Sequence, residues 1–215
     1  MCRFRETTFE LLGGVTELNF NFLNLGDDEV VQLAVVLPLC AKLTALSLQS
    51  TQLGDKGAAA LAGAIKGNGV VKTLVLTNNH IGDAGAAAFA DALRINGVLE
   101  ELWLDENKIG DAGAAALADA LRVNGALTQL ELGGNQIGDA GAAALADALR
   151  VNGALQELQL SNNQIGDAGA AAFADALRVN GALTELALRI NQIGEDAKSK
   201  LQEAVQGRSG FDFGL

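Results

Sequence analysis

The chain has 215 residues, of which 49% are apolar and only 4% aromatic, and its formal net charge is −11. The apolar share is enough for a continuous core, whereas the acidic balance disfavours nucleic-acid binding, which draws on clustered lysine and arginine. The two cysteines, Cys2 and Cys40, fit neither a disulfide framework nor a metal-ligand spacing. No apolar run is long enough to span a bilayer.

Residues 1–14 are predicted to be an N-terminal capping segment. They contain no apolar stretch typical of a secretory signal, so we expect a soluble intracellular protein, cytoplasmic by default. Val35 and Pro38 stand in the first unit where later units carry Asp and Arg. Another chain could cover this apolar surface, or the segment's own apolar residues could, namely Phe4, Phe9, Leu11 and Leu12. We expect the second arrangement.

From residue 15 onward the sequence is repetitive, with a constant period of 28. The block GDAGAAA(L/F)ADALR(V/I)NG starts at Gly82, Gly110, Gly138 and Gly166. Self-similarity at one fixed period is typical of solenoid proteins, in which each unit buries its apolar face against its neighbours. Extending the register gives seven units over residues 15–207, which begin at Val15, Leu43, Val71, Leu99, Leu127, Leu155 and Leu183.

Each unit is predicted to form a short strand, a turn and a helix. In the unit that begins at Leu99, Leu102 and Leu104 lie on one face of a strand, because strand side chains alternate. The next apolar residues follow the spacing i, i+3, i+4, i+7 of one helical face, and they are Ala114, Leu117, Ala118 and Leu121.

Recurring signals mark the ends of these helices. Gly110–Asp111 is predicted to cap the start of its helix, and Asn124–Gly125 is predicted to end it with a left-handed residue. The last unit replaces alanines with polar residues, which predicts a polar C-terminal cap, at Lys198, Lys200, Gln202 and Glu203. Residues 208–215 are predicted to be a C-terminal tail.

The repeated pattern resembles the ribonuclease-inhibitor-like class of leucine-rich repeats, which includes the sensor repeats of NOD-like receptors and the Ran GTPase-activating proteins. The resemblance covers roughly residues 15–207 and rests on Leu99, Leu102, Leu104, Asn107, Ile109, Gly113, Leu117, Ala118 and Leu121 with their equivalents in the other units. It implies an α/β leucine-rich-repeat solenoid, or horseshoe, with parallel strands on the concave face and helices on the convex face. Members of the class mainly share architecture, so it implies no single function.

Three recurring polar features are interpreted as structural. A row of asparagines is expected to satisfy backbone groups in the turn after each strand, at Asn79, Asn107, Asn135, Asn163 and Asn191. Leu23 and Thr51 replace this asparagine in the first two units, whose turns should be less regular. The Gly–Asp pairs recur only once per unit, which favours helix capping over calcium binding. Exposed ion pairs three residues apart are expected at Asp91/Arg94, Asp119/Arg122, Asp147/Arg150 and Asp175/Arg178.

No pattern in the sequence predicts an enzyme or a cofactor. His80 is the only histidine, neither cysteine is near a candidate base, and there is no phosphate-binding glycine loop or metal cluster.

The outward residues of the strands and the following turns vary between units, although the middle helices are nearly identical. Over the seven units this surface carries seven carboxylates and two strongly basic residues, so its formal charge is −5. Trp103, the single tryptophan, lies at its centre, and tryptophan is enriched in binding hot spots. The alternative is that Trp103 only packs against its strand neighbours Val75 and Glu131.

The sequence therefore predicts a non-enzymatic protein-interaction module, as a subunit or domain of a larger assembly, that binds a protein with a basic contact surface. The predicted binding residues are Val75, His80, Glu101, Trp103, Asp105, Glu106, Lys108, Glu131, Glu157 and Arg189. Two alternatives stay open, a regulator of a small GTPase of the Ran GTPase-activating type and a structural spacer or engineered consensus solenoid. The sequence predicts no oligomeric state.

Overall fold

The computed structural model describes residues 14–215, in which eight short strands alternate with seven α-helices. The strands are β1 (Glu17–Asn19), β2 (Ala45–Ser47), β3 (Thr73–Val75), β4 (Glu101–Trp103), β5 (Gln129–Glu131), β6 (Glu157–Gln159), β7 (Glu185–Ala187) and β8 (Asp212–Gly214). The helices are α1 (Gly26–Val36), α2 (Asp55–Lys66), α3 (Asp83–Leu93), α4 (Asp111–Leu121), α5 (Asp139–Leu149), α6 (Asp167–Leu177) and α7 (Glu195–Ala204). A 3₁₀ helix, Leu37–Leu39, extends α1.

All strands belong to one open parallel sheet, and their spatial order is their order in the chain. From β1 to β7 each residue pairs with its equivalent in the next unit, as Leu74 does with Leu102 and Leu102 with Leu130. The predicted α/β solenoid is therefore confirmed, with strands on its inner side and helices on its outer side.

The core runs without interruption along the solenoid. Leu102 on β4 and Leu104 directly after this strand are fully buried, and so is Leu117 on the inner face of α4. Each helix from α2 to α6 packs against the helix before it and the helix after it, so these units bury their apolar faces against neighbouring units.

The asparagines that follow the strands satisfy backbone groups, as predicted. Asn107 Nδ2 donates to the carbonyl oxygens of Leu76 and Leu104 at 3.0 Å, and its Oδ1 accepts from the Ile81 N–H at 3.0 Å. In the second unit Thr51 is buried instead, and its hydroxyl donates to the Leu48 carbonyl at 2.8 Å. The turn there is less regular, because Gln52 adds a second left-handed residue, with φ 63°.

A second row of asparagines lies after the helices, where a left-handed glycine was predicted. Asn124 Nδ2 donates to the carbonyls of Leu93 and Asn96, at 2.7 and 2.9 Å, and its Oδ1 accepts from the Leu127 N–H at 2.8 Å. Gly125 does not have a positive φ. The prediction of a left-handed stop at Gly125 was wrong, because the Leu121 carbonyl at the end of α4 accepts from Asn152 Nδ2 of the next unit at 2.7 Å and needs no left-handed turn to pair it.

The aspartates at the helix starts cap the next helix along the solenoid rather than their own. Gly82, the N-cap of α3, has no side chain that could cap the helix, and Asp83 is the first helical residue. The Gly82 N–H donates to Asp55 Oδ1 of the preceding unit at 2.7 Å. The Asp83 Oδ1 accepts from the N–H groups of Gly110 and Gly113 in the following unit, at 2.7 and 2.9 Å. Capping was therefore predicted correctly, but its assignment to the same helix was wrong.

The C-terminal residues continue the solenoid. Arg208 stands one repeat after Asn180, and its guanidinium donates to the carbonyl oxygens of Asn180 and Leu183. Arg208 thus takes the place of the asparagine at the C-terminal end of the row that follows the helices. The segment treated as a tail, 208–215, contains β8, whose Phe213 pairs with Leu186.

Near the first helix the solenoid exposes apolar side chains, since Val35 is 74% and Leu39 57% exposed. The residues expected to cover them, Phe4, Phe9, Leu11 and Leu12, lie outside the described residues, as does nearly all of the predicted capping segment. No helix of the described range 14–215 combines the length and apolar character needed to cross a membrane.

Of the four predicted helix-surface ion pairs, three form within the described chain. The nitrogen-to-oxygen distances are 3.7 Å for Arg94–Asp91 and 3.6 Å for Arg122–Asp119, and Arg178 contacts Asp175 directly. Among the residues described, the guanidinium nitrogens of Arg150 do not come within 4.0 Å of the Asp147 carboxylate oxygens.

Candidate protein-binding face

Trp103 lies at the centre of the inner strand face, between two strand neighbours. Its register partners are Val75 on β3 and Glu131 on β5, and all three side chains are half-buried. The Trp103 Nε1 is shielded from solvent and has no hydrogen-bond acceptor among the described residues. A buried donor without an acceptor costs free energy, which a partner's carbonyl or carboxylate oxygen would recover.

Glu131 is a half-buried carboxylate beside Trp103. Burial raises its pKa to about 7, although the Gln129 side-chain amide donates to Glu131 Oε1 at 2.8 Å and opposes the shift. The negative charges of Asp105 and Glu157 raise the pKa further. Near neutral pH this carboxyl group is therefore partly protonated, and the face carries less charge than the sequence indicates.

Asp105 follows β4 and reaches across to the next unit. It accepts from the Gly133 N–H at 3.0 Å, yet burial raises its pKa to about 6 and the charge of Glu106 adds to that shift. Gly134 has φ 66°, and a Cβ placed there would collide with the Glu106 carboxylate. The two glycines thus allow the carboxylates of Asp105 and Glu106 to pack closely against the backbone of the next unit.

A row of acidic side chains continues toward the C-terminal end. Glu157, Glu185 and Asp212 are register partners on β6, β7 and β8. Burial raises the pKa of Glu185, and the charges of Glu157 and Asp212 add to the increase. Arg189 lines a cavity of about 190 Å³ beside Glu185 and Asp212. These three carboxylates extend the negative charge of the inner face to its C-terminal end.

The structure places nine of the ten predicted binding residues in three groups. Val75, Trp103, Asp105 and Glu131 form the centre, and Glu101 and Glu157 belong to the adjoining register row on β4 and β6. The turn residues are exposed at one edge of the sheet, at His80, Glu106 and Lys108. His80 borders a separate cavity of about 380 Å³.

Arg189 does not belong to the central group. It lies in the seventh unit, three units from Trp103, where it borders the cavity formed with Asp212. Asp212 was missed because residues 208–215 were treated as a tail. The alternation Phe211, Asp212, Phe213 is a period-two signal that indicates a strand.

Metal binding was not expected from the sequence. Within the described range, no group of three or more His, Cys, Asp or Glu side chains is placed to hold a metal ion. The carboxylates on the inner face are therefore interpreted through their charge and hydrogen bonding.

Comparison with known families identifies the repeat. A model described as Leucine Rich repeat matches five segments that together cover more than half of the chain, at residues 39–62, 68–90, 96–118, 126–146 and 154–174. No curated protein matches the chain significantly.

Several solved structures resemble the chain. An internalin from Listeria monocytogenes is 21% identical with a TM-score of 0.50, over 98% of this chain and 63% of the internalin. The tropomodulin C-terminal domain from Caenorhabditis elegans is 16% identical with a TM-score of 0.56, over 68% of this chain and 92% of that domain. A leiomodin-1 fragment, titled actin-binding site 2, is 17% identical with a TM-score of 0.48, over 95% and 89%. At these identities the likenesses to the internalin and the tropomodulin domain show a shared fold alone.

Proposed function

The chain belongs to the leucine-rich-repeat family, and we propose that it is a non-enzymatic protein-interaction module. Its inner strand face binds the basic contact surface of a partner protein. Its 28-residue units correspond best to the ribonuclease-inhibitor-like class. The module acts as a subunit or domain of a larger assembly in the cell interior.

The observation that carries this proposal is the contrast between the two faces of the repeat. The helices α4 and α5 have the same sequence, DAGAAALADAL, whereas the register row of the inner face changes from Val75 to Trp103 to Glu131. Solenoid packing requires the buried leucine that precedes each of these residues on its strand, but it does not require a particular side chain at the outward position. Variation confined to one face is typical of a binding surface.

The carboxylates indicate the kind of partner. Glu131 and Asp105 are held half-buried with raised pKa values. A cationic group placed beside them stabilises their charged forms, which burial disfavours in the free protein. That group would lower both pKa values, and complex formation would release protons near neutral pH. Calorimetry in two buffers of different ionisation enthalpy measures this release directly.

Two alternatives make different predictions. A small-GTPase regulator would accelerate GTP hydrolysis over many turnovers. A structural spacer or engineered consensus solenoid, which the identical helices would suit, would bind nothing through the inner face.

Affinity capture with three baits tests the proposal. The parent chain, Trp103→Ala and Arg150→Ala are immobilised separately, and the captured proteins are compared by quantitative mass spectrometry. The proposal predicts proteins that the parent and Arg150→Ala retain and Trp103→Ala loses. Equal capture by all three baits would contradict it.

A further inference from the structure

A row of exposed aliphatic side chains runs along the edge where the helices end. It consists of Leu39, Ile95, Val123, Val151 and Val179, which occupy equivalent positions in five units and are between 57% and 68% exposed. We call this set the aliphatic row. The fold does not require it, because Gly67 and Gly207 occupy the same position in the second and seventh units.

The aliphatic row has hollows of matching spacing beside it. A Cβ placed on Gly97, Gly125, Gly153 or Gly181 would meet no atom within 4 Å, so each glycine leaves open space next to a projecting side chain. Between the fourth and fifth units the hollow has a volume of about 340 Å³, and Val123 and Val151 stand on its two sides. The edge is thus a series of projections and hollows with the period of the repeat.

The charge beside the aliphatic row is balanced, unlike that of the whole chain. In the four units from the third to the sixth, each projecting residue follows an arginine that lies three residues after an aspartate, as Val123 follows Arg122 and Asp119. These four aspartates and four arginines cancel, whereas the chain as a whole carries −11. Copies of an acidic protein repel one another least at such an edge.

We propose that the aliphatic row is the contact between two copies of this chain, arranged antiparallel about a two-fold axis. A second copy has the same repeat spacing, so its exposed aliphatic side chains lie opposite those of the first copy over several units. The antiparallel arrangement is the self-complementary geometry of a two-fold dimer. This contact is separate from the inner strand face and does not depend on the function proposed above.

Sedimentation velocity of the purified chain over about a hundredfold range of concentration tests the proposal. The parent chain should pass from monomer to dimer, and Val123→Asp/Val151→Asp should weaken the dimer at least about tenfold. Gln136→Asp/Gln164→Asp is the matched control, since it adds the same two charges at exposed turn positions on the opposite edge and should leave the dimer intact. A parent that stays monomeric, or equal weakening by both double variants, would overturn the proposal.

Cysteine cross-linking tests the orientation. The two-fold axis lies between the fourth and fifth units, so residue 123 of one copy approaches residue 151 of the other. Mixing Val123→Cys with Val151→Cys chains should give more disulfide-linked dimer than either variant alone. Faster cross-linking of each variant with itself would overturn the antiparallel arrangement.

Discussion

The Asp111 carboxylate accepts a hydrogen bond from the backbone N–H of Gly141, one unit further along the solenoid, at 2.9 Å. The same oxygen accepts from the Gly138 N–H at 2.7 Å. Each aspartate therefore joins two units, because it belongs to one helix and caps the next. The stability of a helix start consequently depends on a side chain of the preceding unit.

Asp111→Ala should lower the free energy of unfolding by about 1 kcal/mol, the usual cost of losing an N-cap. Hydrogen exchange should accelerate at the amides of Gly138 and Gly141, in the next unit, and not at the start of α4. The control is Asp119→Ala, which removes an exposed carboxylate and should cost less than about 0.5 kcal/mol. Faster exchange at the start of α4 alone would contradict the assignment of the cap.

Gly113→Ala should destabilise the protein by about 1–3 kcal/mol. Its new Cβ would lie 2.7 Å from Asp83 Oδ1 and 3.0 Å from the Ala86 Cβ, so neighbouring units would have to separate. Gly125→Ala is the matched control, since open space surrounds that position, and its stability should stay within about 0.5 kcal/mol of the parent. Denaturant melts of both variants provide the measurement, and similar losses would show that the helices do not pack this closely.

The Leu102/Leu104 alternation and the Asp111–Gly138 hydrogen bond show what could and what could not be predicted from sequence. The constant repeat period and the alternation at Leu102 and Leu104 predicted the solenoid, because burial follows directly from spacing. The partner of Asp111 could not be inferred, since Gly138 belongs to the next unit in sequence and becomes adjacent only when helices stack. The start of β8 was missed for a related reason, because Asp212 pairs with Glu185 one position short of the regular repeat period.

The candidate binding face was predictable in part. Trp103 and Glu131 were singled out because their positions vary between nearly identical units, and the structure places them side by side. Their partial burial could not be predicted, because it depends on how closely adjacent strands and turns approach. The role of Asn124 was missed because an Asn–Gly pair equally suits a left-handed turn.

Arg208→Ala should loosen the C-terminal end of the solenoid and cost about 1–2 kcal/mol, because the buried carbonyls that follow α6 lose their donor. Hydrogen exchange should accelerate in β7 and β8, while the middle units keep their protection. Lys200→Ala, at an exposed position of α7, is the control and should leave exchange unchanged. Unaltered exchange in Arg208→Ala would mean that the guanidinium does not hold this end.

Stability should fall as the pH rises from about 4.5 to about 7, the ordinary and folded-state pKa values of Glu131. The folded state holds the proton more tightly than the unfolded chain does, so the contribution is fully present below the lower pKa and is lost as pH passes the higher one. Asp105 contributes with the same sign, between 3.8 and about 6.

Glu131→Gln should therefore reduce the fall in melting temperature between these pH values. Glu203→Gln, at an exposed carboxylate on α7, should keep the parent's profile. A Glu131→Gln profile that matches the parent would mean that the folded protein does not hold this carboxyl group in a raised-pKa site.

The binding of a partner to the inner strand face is tested most directly by calorimetry of Trp103→Ala and Arg150→Ala with a protein obtained from the three-bait capture. Trp103→Ala should weaken binding by about 2 kcal/mol, roughly thirtyfold, because it removes a large half-buried anchor. Arg150→Ala, on the outer helix surface, should change affinity by less than about 0.5 kcal/mol. If Arg150→Ala abolished binding while Trp103→Ala retained it, the partner would bind the helix side and the account would be contradicted.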